Sequence, residues 1–237
     1  MPDAIVVGGG SGLGEALASL YREHGWTVRV IDRADCDLAD VVGVRALANE
    51  LLASGRSYDL CILSAGASEA GYVDELDPDV FRRCLEINFL APVTLFRAVA
   101  TAASPCRRFV FVLSGAADLL LPGLGPYALS KRALRDYLHL IELEGSFPDC
   151  LLVTVRPGAM ATRFDEKTRV HGRYRLVKGS RARSVREVAE RVYAAERAGR
   201  ARLSLSLLPS VLGWLQNVAL APMRWLVRHH PAFRHPP

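Results

Sequence analysis

Tyr127 and Lys131 stand four residues apart in Tyr127-Ala128-Leu129-Ser130-Lys131, inside a stretch of helical periodicity. That spacing puts a phenol and an ammonium on one helix face. A free phenol titrates near ~10 and is a poor acid or base at neutral pH. An adjacent ammonium favours the phenolate, so the pair is suited to proton transfer at an oxygen atom. YxxxK alone also occurs on solvated helices, so its company decides its meaning. Ser114 ends an apolar run thirteen residues earlier and leads into a turn of small residues, Gly115-Ala116-Ala117. Asn88 interrupts an otherwise apolar helical stretch, where a side-chain amide is costly unless it finds a partner. Arg156-Pro157-Gly158-Ala159-Met160-Ala161-Thr162 follows a further apolar run.

A second constellation lies at the start of the chain. The apolar run Ala4–Val7 ends in Gly8-Gly9-Gly10-Ser11-Gly12-Leu13-Gly14, which fits GxxxGxG at Gly8, Gly12 and Gly14 and fits GxGxxG in no register. A strand-to-helix turn without side chains lets backbone N–H groups and a helix N-terminus approach a pyrophosphate. Eighteen residues after Gly14, at the end of the second apolar run, stands Asp32. A carboxylate there bonds the adenosine ribose hydroxyls and repels a 2′-phosphate. Arg33 follows it and could favour that phosphate instead, so the reading leans to NAD with NADP as the alternative.

These residues need strands to end where they sit. Apolar runs at 4–7, 27–31, 60–63, 108–113 and 151–155 alternate with helical stretches near 13–23, 41–54, 78–103 and 127–145. Continuously apolar strands alternating with helices imply a parallel sheet covered on both faces. No linker or internal repeat divides residues 1–200. The expectation is one doubly wound α/β domain over 1–202, with a last strand and an apolar C-terminal helical tail over 203–237.

With the motifs in this order, the chain resembles the short-chain dehydrogenase/reductase family in its compact one-domain, Rossmann-type form, over about residues 3–200. The resemblance implies a nicotinamide enzyme acting on a carbonyl or secondary alcohol, with Tyr127 as general acid/base. It implies that Lys131 binds the nicotinamide ribose and lowers the Tyr127 pKa, that Ser114 bonds the substrate oxygen, and that Asn88 holds a water behind Lys131. Cofactor contacts are implied for Gly8, Ser11, Gly12, Leu13, Gly14, Asp32, Arg33, the acidic pair Asp37-Leu38, Ala65, Gly66, Tyr127, Lys131, Pro157, Gly158 and Thr162. A homodimer or homotetramer is implied too. Two positions depart from the family: Val7 replaces the usual Thr before the first glycine, and Leu63-Ser64-Ala65-Gly66 replaces NNAG. Backbone groups must then make the joins that polar side chains usually make. A cofactor-binding sensor or scaffold without turnover is the competing reading, against which the intact Ser114, Tyr127 and Lys131 stand.

Other chemistries fail on spacing. Ser114 lacks the flanking glycines of GxSxG, and neither HExxH nor GxxxxGK[ST] occurs, so a hydrolase elbow, a zinc protease and a P-loop are excluded. Five scattered cysteines without a CxxC pair read as reduced buried thiols, and no metal site is expected. No basic segment with a following apolar run opens the sequence, so a cytoplasmic protein is expected.

Charge is unevenly distributed. Residues 1–162 carry 14 Lys/Arg against 20 Asp/Glu, whereas residues 163–237 carry 16 against 5, giving +5 overall. By the resemblance, residues 163–183 form a lid over the substrate. Arg163, Lys167, Arg169, Arg173, Arg175, Lys178, Arg181 and Arg183 there face only Asp165 and Glu166 within the segment. Between Arg202 and Arg224 lie 21 uncharged residues, long enough to span a bilayer but interrupted by Pro209 and several polar side chains. A strand at 202–208, a helix at 210–220 and a further short helix from Pro222 are expected. Lid and tail could meet an anionic substrate, an acyl thioester on an acidic carrier protein, or the inner face of an anionic membrane through Trp214, Met223, Trp225 and Leu226. Packing on the body or on a second subunit is the plainer alternative. No nucleic-acid-binding signature is present.

Overall fold

The structure is a computed structural model that describes residues 1–160, 162, 164–176, 182–206 and 208–218. Six parallel strands form the central sheet: β1 (Asp3–Val7), β2 (Thr27–Ile31), β3 (Leu60–Leu63), β5 (Arg108–Val112), β6 (Leu151–Arg156) and β8 (Arg202–Ser204). Their spatial order is β2-β1-β3-β5-β6-β8, so the chain reverses direction across the sheet between β2 and β3. A second sheet pairs the two-residue strands β4 (Glu69–Ala70) and β7 (Arg169–Val170).

The apolar strands feed two cores. Along β1, Ile5 and Val7 face a core with α2 (Val41–Ala53), α4 (Ala91–Thr101) and α5 (Gly125–Glu144). Ala4 and Val6 face the other core, with α1 (Gly12–Glu23) and α7 (Val185–Arg197). Alternation with both faces apolar is what a sheet covered by helices on each side requires. In the first core Phe96 meets Phe109 edge to face at 4.8 Å and Phe111 at 5.5 Å. In the second, buried Glu196 on α7 accepts the Tyr21 hydroxyl of α1 at 2.8 Å and pairs with Arg108 of β5. That cluster ties the α1–α7 layer to the sheet, and burial beside Glu196 pushes the Tyr21 phenol well above its usual range.

Helix boundaries follow local chemistry. Asp40 caps α2 by accepting from Val42 N at 3.0 Å, and Ser184 caps α7 by accepting from Glu187 N at 3.1 Å. Gly145 ends α5 in the left-handed region, at φ +64°. The stretch expected as one helix at 78–103 is α3 (Pro78–Leu85) and α4 joined by a π-helical segment, Glu86–Leu90. Pro78–Thr101 is long and apolar enough to cross a membrane, yet 56% of its apolar window is buried, and it packs as a core helix.

All five cysteines are free. Burial pushes the Cys84 thiol up to about 11 and that of Cys106 up to about 12. They are core hydrophobes rather than nucleophiles. The last strand ends at Ser204 rather than near 208, and α8 runs over Leu208–Val218. The short helix expected from Pro222, together with Met223, Trp225 and Leu226, lies outside the described residues.

Candidate active site

The Gly-rich turn lies where β1 ends and α1 begins. Gly8 has φ +82°, and a Cβ there would stand 2.5 Å from the Ala65 backbone. A Cβ on Gly14 would stand 2.1 Å from the Gly8 carbonyl oxygen. These two glycines let β1, α1 and the loop after β3 close on one another. Gly12 differs: its φ is +60°, and a Cβ would meet nothing nearer than the Thr162 side chain at 3.7 Å. The space above the α1 N-terminus is therefore a cradle that any side chain would fill, which fits a pyrophosphate. Val7 and Leu63 carry no polar side chain, and backbone bonds join the strand ends instead, Ser64 N to Val7 O at 2.9 Å and Gly8 N to Ile31 O at 2.8 Å.

Asp32 follows the end of β2 and lies against the turn. A Cβ on Gly10 would stand 2.8 Å from Asp32 Oδ2, while Asp32 Oδ1 accepts from Ala34 N at 2.7 Å. Arg33 turns its guanidinium to Asp37 at 3.2 Å. Asp37 also accepts from Ala39 N at 3.0 Å, and that bond together with Arg33 holds its carboxyl below the usual range. Leu38 packs against the first core, as does Ala65.

Asn88, Ser130 and Lys131 form the buried centre. Asn88 is 0% exposed and sits in the π-helical segment, whose wider turn carries its amide toward the loop after β3. Its Oδ1 accepts from Ala67 N at 2.9 Å, and its Nδ2 donates to Ala67 O and Ser130 Oγ, each at 2.8 Å. Ser130 Oγ in turn donates to Tyr127 O at 2.8 Å. Lys131 is 3% exposed and donates through Nζ to Val112 O at 3.0 Å and Ala65 O at 3.4 Å. Burial lowers its pKa to about 8. A Cβ on Gly66 would stand 3.4 Å from both Asn88 Oδ1 and Lys131 Nζ, so Gly66 marks where the two side chains meet.

Tyr127 is half-buried on the first turn of α5, its ring centroid 5.5 Å from that of Phe164. Ser114 follows β5, and its Oγ accepts from Ala116 N at 3.1 Å. Pro157 follows β6, Gly158 takes φ +72° beside Ser206, and Thr162 Oγ1 accepts from Phe164 N at 3.2 Å, capping the short helix α6 (Phe164–Lys167). Ser11 Oγ accepts from Lys167 Nζ at 3.1 Å. Leu13 is buried against the second core. Gly8, Gly12, Asp32, Asn88, Ser114, Tyr127 and Thr162 thus all flank the sheet edge where the parallel strands end. A cleft of about 460 Å³ lined by Tyr72, Val73, Asp74, Pro122 and Gly123 opens just ahead of Tyr127 in the chain.

Sequence reasoning passed over four features of this site. Ser130 looked like filler inside YxxxK, Phe164 carried no motif, and the carbonyls that hold Lys131 leave no mark in a sequence. The fourth is the set of carboxylates that segment 163–183 meets. The segment's cations do not face only Asp165 and Glu166: Arg173 pairs with Asp74 and Glu75, and Arg183 lies 3.8 Å from Glu187. These carboxylates come from other elements, and they remove part of the free charge read from the segment. β7 further pins this segment to β4, with His171 Nε2 2.8 Å from buried Glu69 Oε2. Arg163, Lys178 and Arg181 lie outside the described residues.

An open parallel sheet with a glycine cradle at its switch point and a Tyr–Lys pair beside it defines a dinucleotide-binding α/β fold of the doubly wound class. Residues 34–171 match the family model for short chain dehydrogenase, and the chain belongs to that family. It is 30% identical over 128 residues to the Bos taurus protein named dehydrogenase/reductase SDR family member 7B, covering 53% of this chain and 39% of that protein. It is 26% identical over 168 residues to a Danio rerio 3-dehydrosphinganine reductase, covering 59% and 51%. The matched regions thus span roughly two fifths to one half of these relatives' lengths. Among solved structures, a Sphingobium yanoikuyae short-chain dehydrogenase in complex with NADPH superposes with TM-score 0.71 at 17% identity, covering 99% of both chains. A Burkholderia phymatum short-chain dehydrogenase/reductase in complex with NAD gives 0.71 at 17% identity, covering 94% and 95%.

Proposed function

We propose that this chain is an NAD(P)-dependent oxidoreductase that interconverts a carbonyl and a secondary alcohol on a lipophilic or acyl-thioester-linked substrate. Residues 1–202 form its catalytic unit and 203–237 its tail. The observation that carries this reading is the buried cluster of Asn88, Ser130 and Lys131, the last two lying three and four residues beyond Tyr127 on α5. The Lys131 ammonium, held by two carbonyls on the helix that carries the phenol, supports acid/base chemistry in addition to a ribose contact. Burying that ammonium is costly, and the cost is reasonable where its charge is used.

In this reading the glycine cradle receives the pyrophosphate, and Asp32 receives the adenosine ribose. The bound nicotinamide supplies or accepts the hydride, which no side chain can do. Tyr127 gives a proton to the developing alkoxide in reduction and takes it back in oxidation. Lys131 keeps positive charge behind the phenol, so the phenolate is less costly to form. Ser114 donates to the substrate oxygen and fixes its distance from Tyr127. Asn88 anchors the loop carrying Gly66 and Ala67, setting the floor against which Lys131 packs. Oxidation of NADH or NADPH by a panel of medium-chain and aromatic ketones tests the reading. Ketone-dependent oxidation supports it, and nucleotide binding without turnover against any ketone favours the sensor reading.

A peripheral membrane contact is supported by one further observation. α8 is bolted to the Ser114 turn: a Cβ on Gly213 would stand 2.0 Å from Asp118 O, and Ser210 donates to Asp118 Oδ2 at 2.6 Å. Its outer face exposes Val211, Trp214 at 63% and Leu215, in the part of the chain that carries the excess positive charge. An exposed aromatic and aliphatic face on a segment with net positive charge in its sequence suits an anionic bilayer surface. Flotation with anionic and neutral liposomes tests it. Salt-sensitive recovery with anionic vesicles supports the contact, and its absence removes it.

A further inference from the structure

Two lid residues on one turn of α6 reach the two halves of the site. Phe164 lies against the Tyr127 ring, and Lys167, three residues on, bonds Ser11 of the glycine turn across a sequence separation of 156 residues. Thr162 caps the start of this turn, Thr168 Oγ1 donates to Phe164 O at 3.1 Å at its end, and Thr162 also faces Gly12 across the cradle. α6 is therefore a strap laid across the cleft between the acid/base residue and the phosphate turn. Arg173 and Arg183 have carboxylate partners. Among the described residues Lys167, like Arg169 and Arg175, has no carboxylate within ion-pair distance, and of these three it is the one that reaches the glycine turn. Its contact there is a neutral hydroxyl.

We infer that Lys167 is a ligand for the dinucleotide's pyrophosphate, delivered from the lid, so that the nucleotide fastens the strap and the strap sets Phe164 against Tyr127. The inference rests on the nucleotide-binding reading above. A phosphate oxygen is a stronger partner for an ammonium than a serine hydroxyl, and a charged bond replaces the neutral contact when the nucleotide is present. Because Lys167 is exposed, its contribution to affinity is moderate, about tenfold.

The test compares NADH, ADP and adenosine binding to wild type, Lys167→Met, Lys167→Arg and the neighbouring-charge control Arg169→Met, by NADH fluorescence and by calorimetry. Lys167→Met should weaken NADH and ADP about tenfold and leave adenosine unchanged. Lys167→Arg should recover most of the loss, and Arg169→Met should bind as wild type. Limited proteolysis within 164–176 should be slowed by ADP in wild type and unaffected by it in Lys167→Met. If Lys167→Met binds ADP within twofold of wild type, or if Arg169→Met loses as much, Lys167 is not a pyrophosphate ligand. If wild type binds none of the three, the nucleotide reading itself fails, and this inference fails with it.

Discussion

Asn88 Nδ2 donates to Ser130 Oγ at 2.8 Å, joining the π-helical segment to the second turn of α5 through two side chains that are both fully buried. Each also bonds a backbone group of the site, Asn88 the Ala67 peptide and Ser130 the Tyr127 carbonyl. The loop after β3 and the helix carrying Tyr127 are thereby held in one register.

Ser130→Ala leaves one Asn88 N–H buried without its acceptor, a loss of about 1–3 kcal/mol. Denaturant unfolding of wild type, Ser130→Ala, Asn88→Ala and the double variant should show this loss. The two single losses should sum to more than the double, because they break one shared bond. Strict additivity would mean the two side chains act independently.

Asp32 sets the second expectation. Its carboxylate lies against the glycine turn, and Arg33, the nearby cation that could receive a 2′-phosphate, is drawn to Asp37. That pair is exposed and contributes little by itself, so the discrimination falls to Asp32. NAD(H) should bind more tightly than NADP(H), and Asp32→Ala should narrow or invert the difference. Equal wild-type affinities would show that Asp32 does not discriminate.

The elements that carry this site were legible where residues advertise themselves locally. Val7, Leu63 and Val112 end continuously apolar strands, and Tyr127 and Lys131 carry the helix period between them. What stayed hidden depends on distance along the chain. Lys167 meets Ser11 across 156 residues and Arg173 meets Asp74 across 99, and no local pattern marks either pair. β4 and β7 have two residues each, too short for any periodicity, and they are joined by backbone bonds, Arg169 N to Ser68 O and His171 N to Ala70 O, and by the His171–Glu69 contact. Asn88 was visible as a misplaced amide. The slip of helical period that aims it lies at the junction of α3, which packs on α5, and α4, which packs on α2.

Lys131 gives a prediction in pH. Its pKa falls from 10.5 to about 8 on folding because burial disfavours the ammonium. Between those values the unfolded chain binds more protons, so the lysine's contribution to stability rises with pH; below about 8 its full burial cost is present. Relative to Lys131→Met, wild type should gain on the order of 2–3 kcal/mol between pH 7 and pH 10. Denaturant titrations of both proteins at the two pH values measure it. A pH-independent difference would mean that the ammonium is not disfavoured by its site.

The most direct measurement is steady-state turnover of Tyr127→Phe beside wild type, with coenzyme affinity measured on the same preparations. The substitution keeps the ring that packs on Phe164 and removes only the hydroxyl. Turnover should fall by roughly 10²–10⁴, the range for a lost general acid/base, while NADH affinity stays within about twofold. A phenylalanine variant that retains near-wild-type turnover would contradict the assignment of Tyr127 as the proton-transferring residue and, with it, the mechanism proposed for this chain.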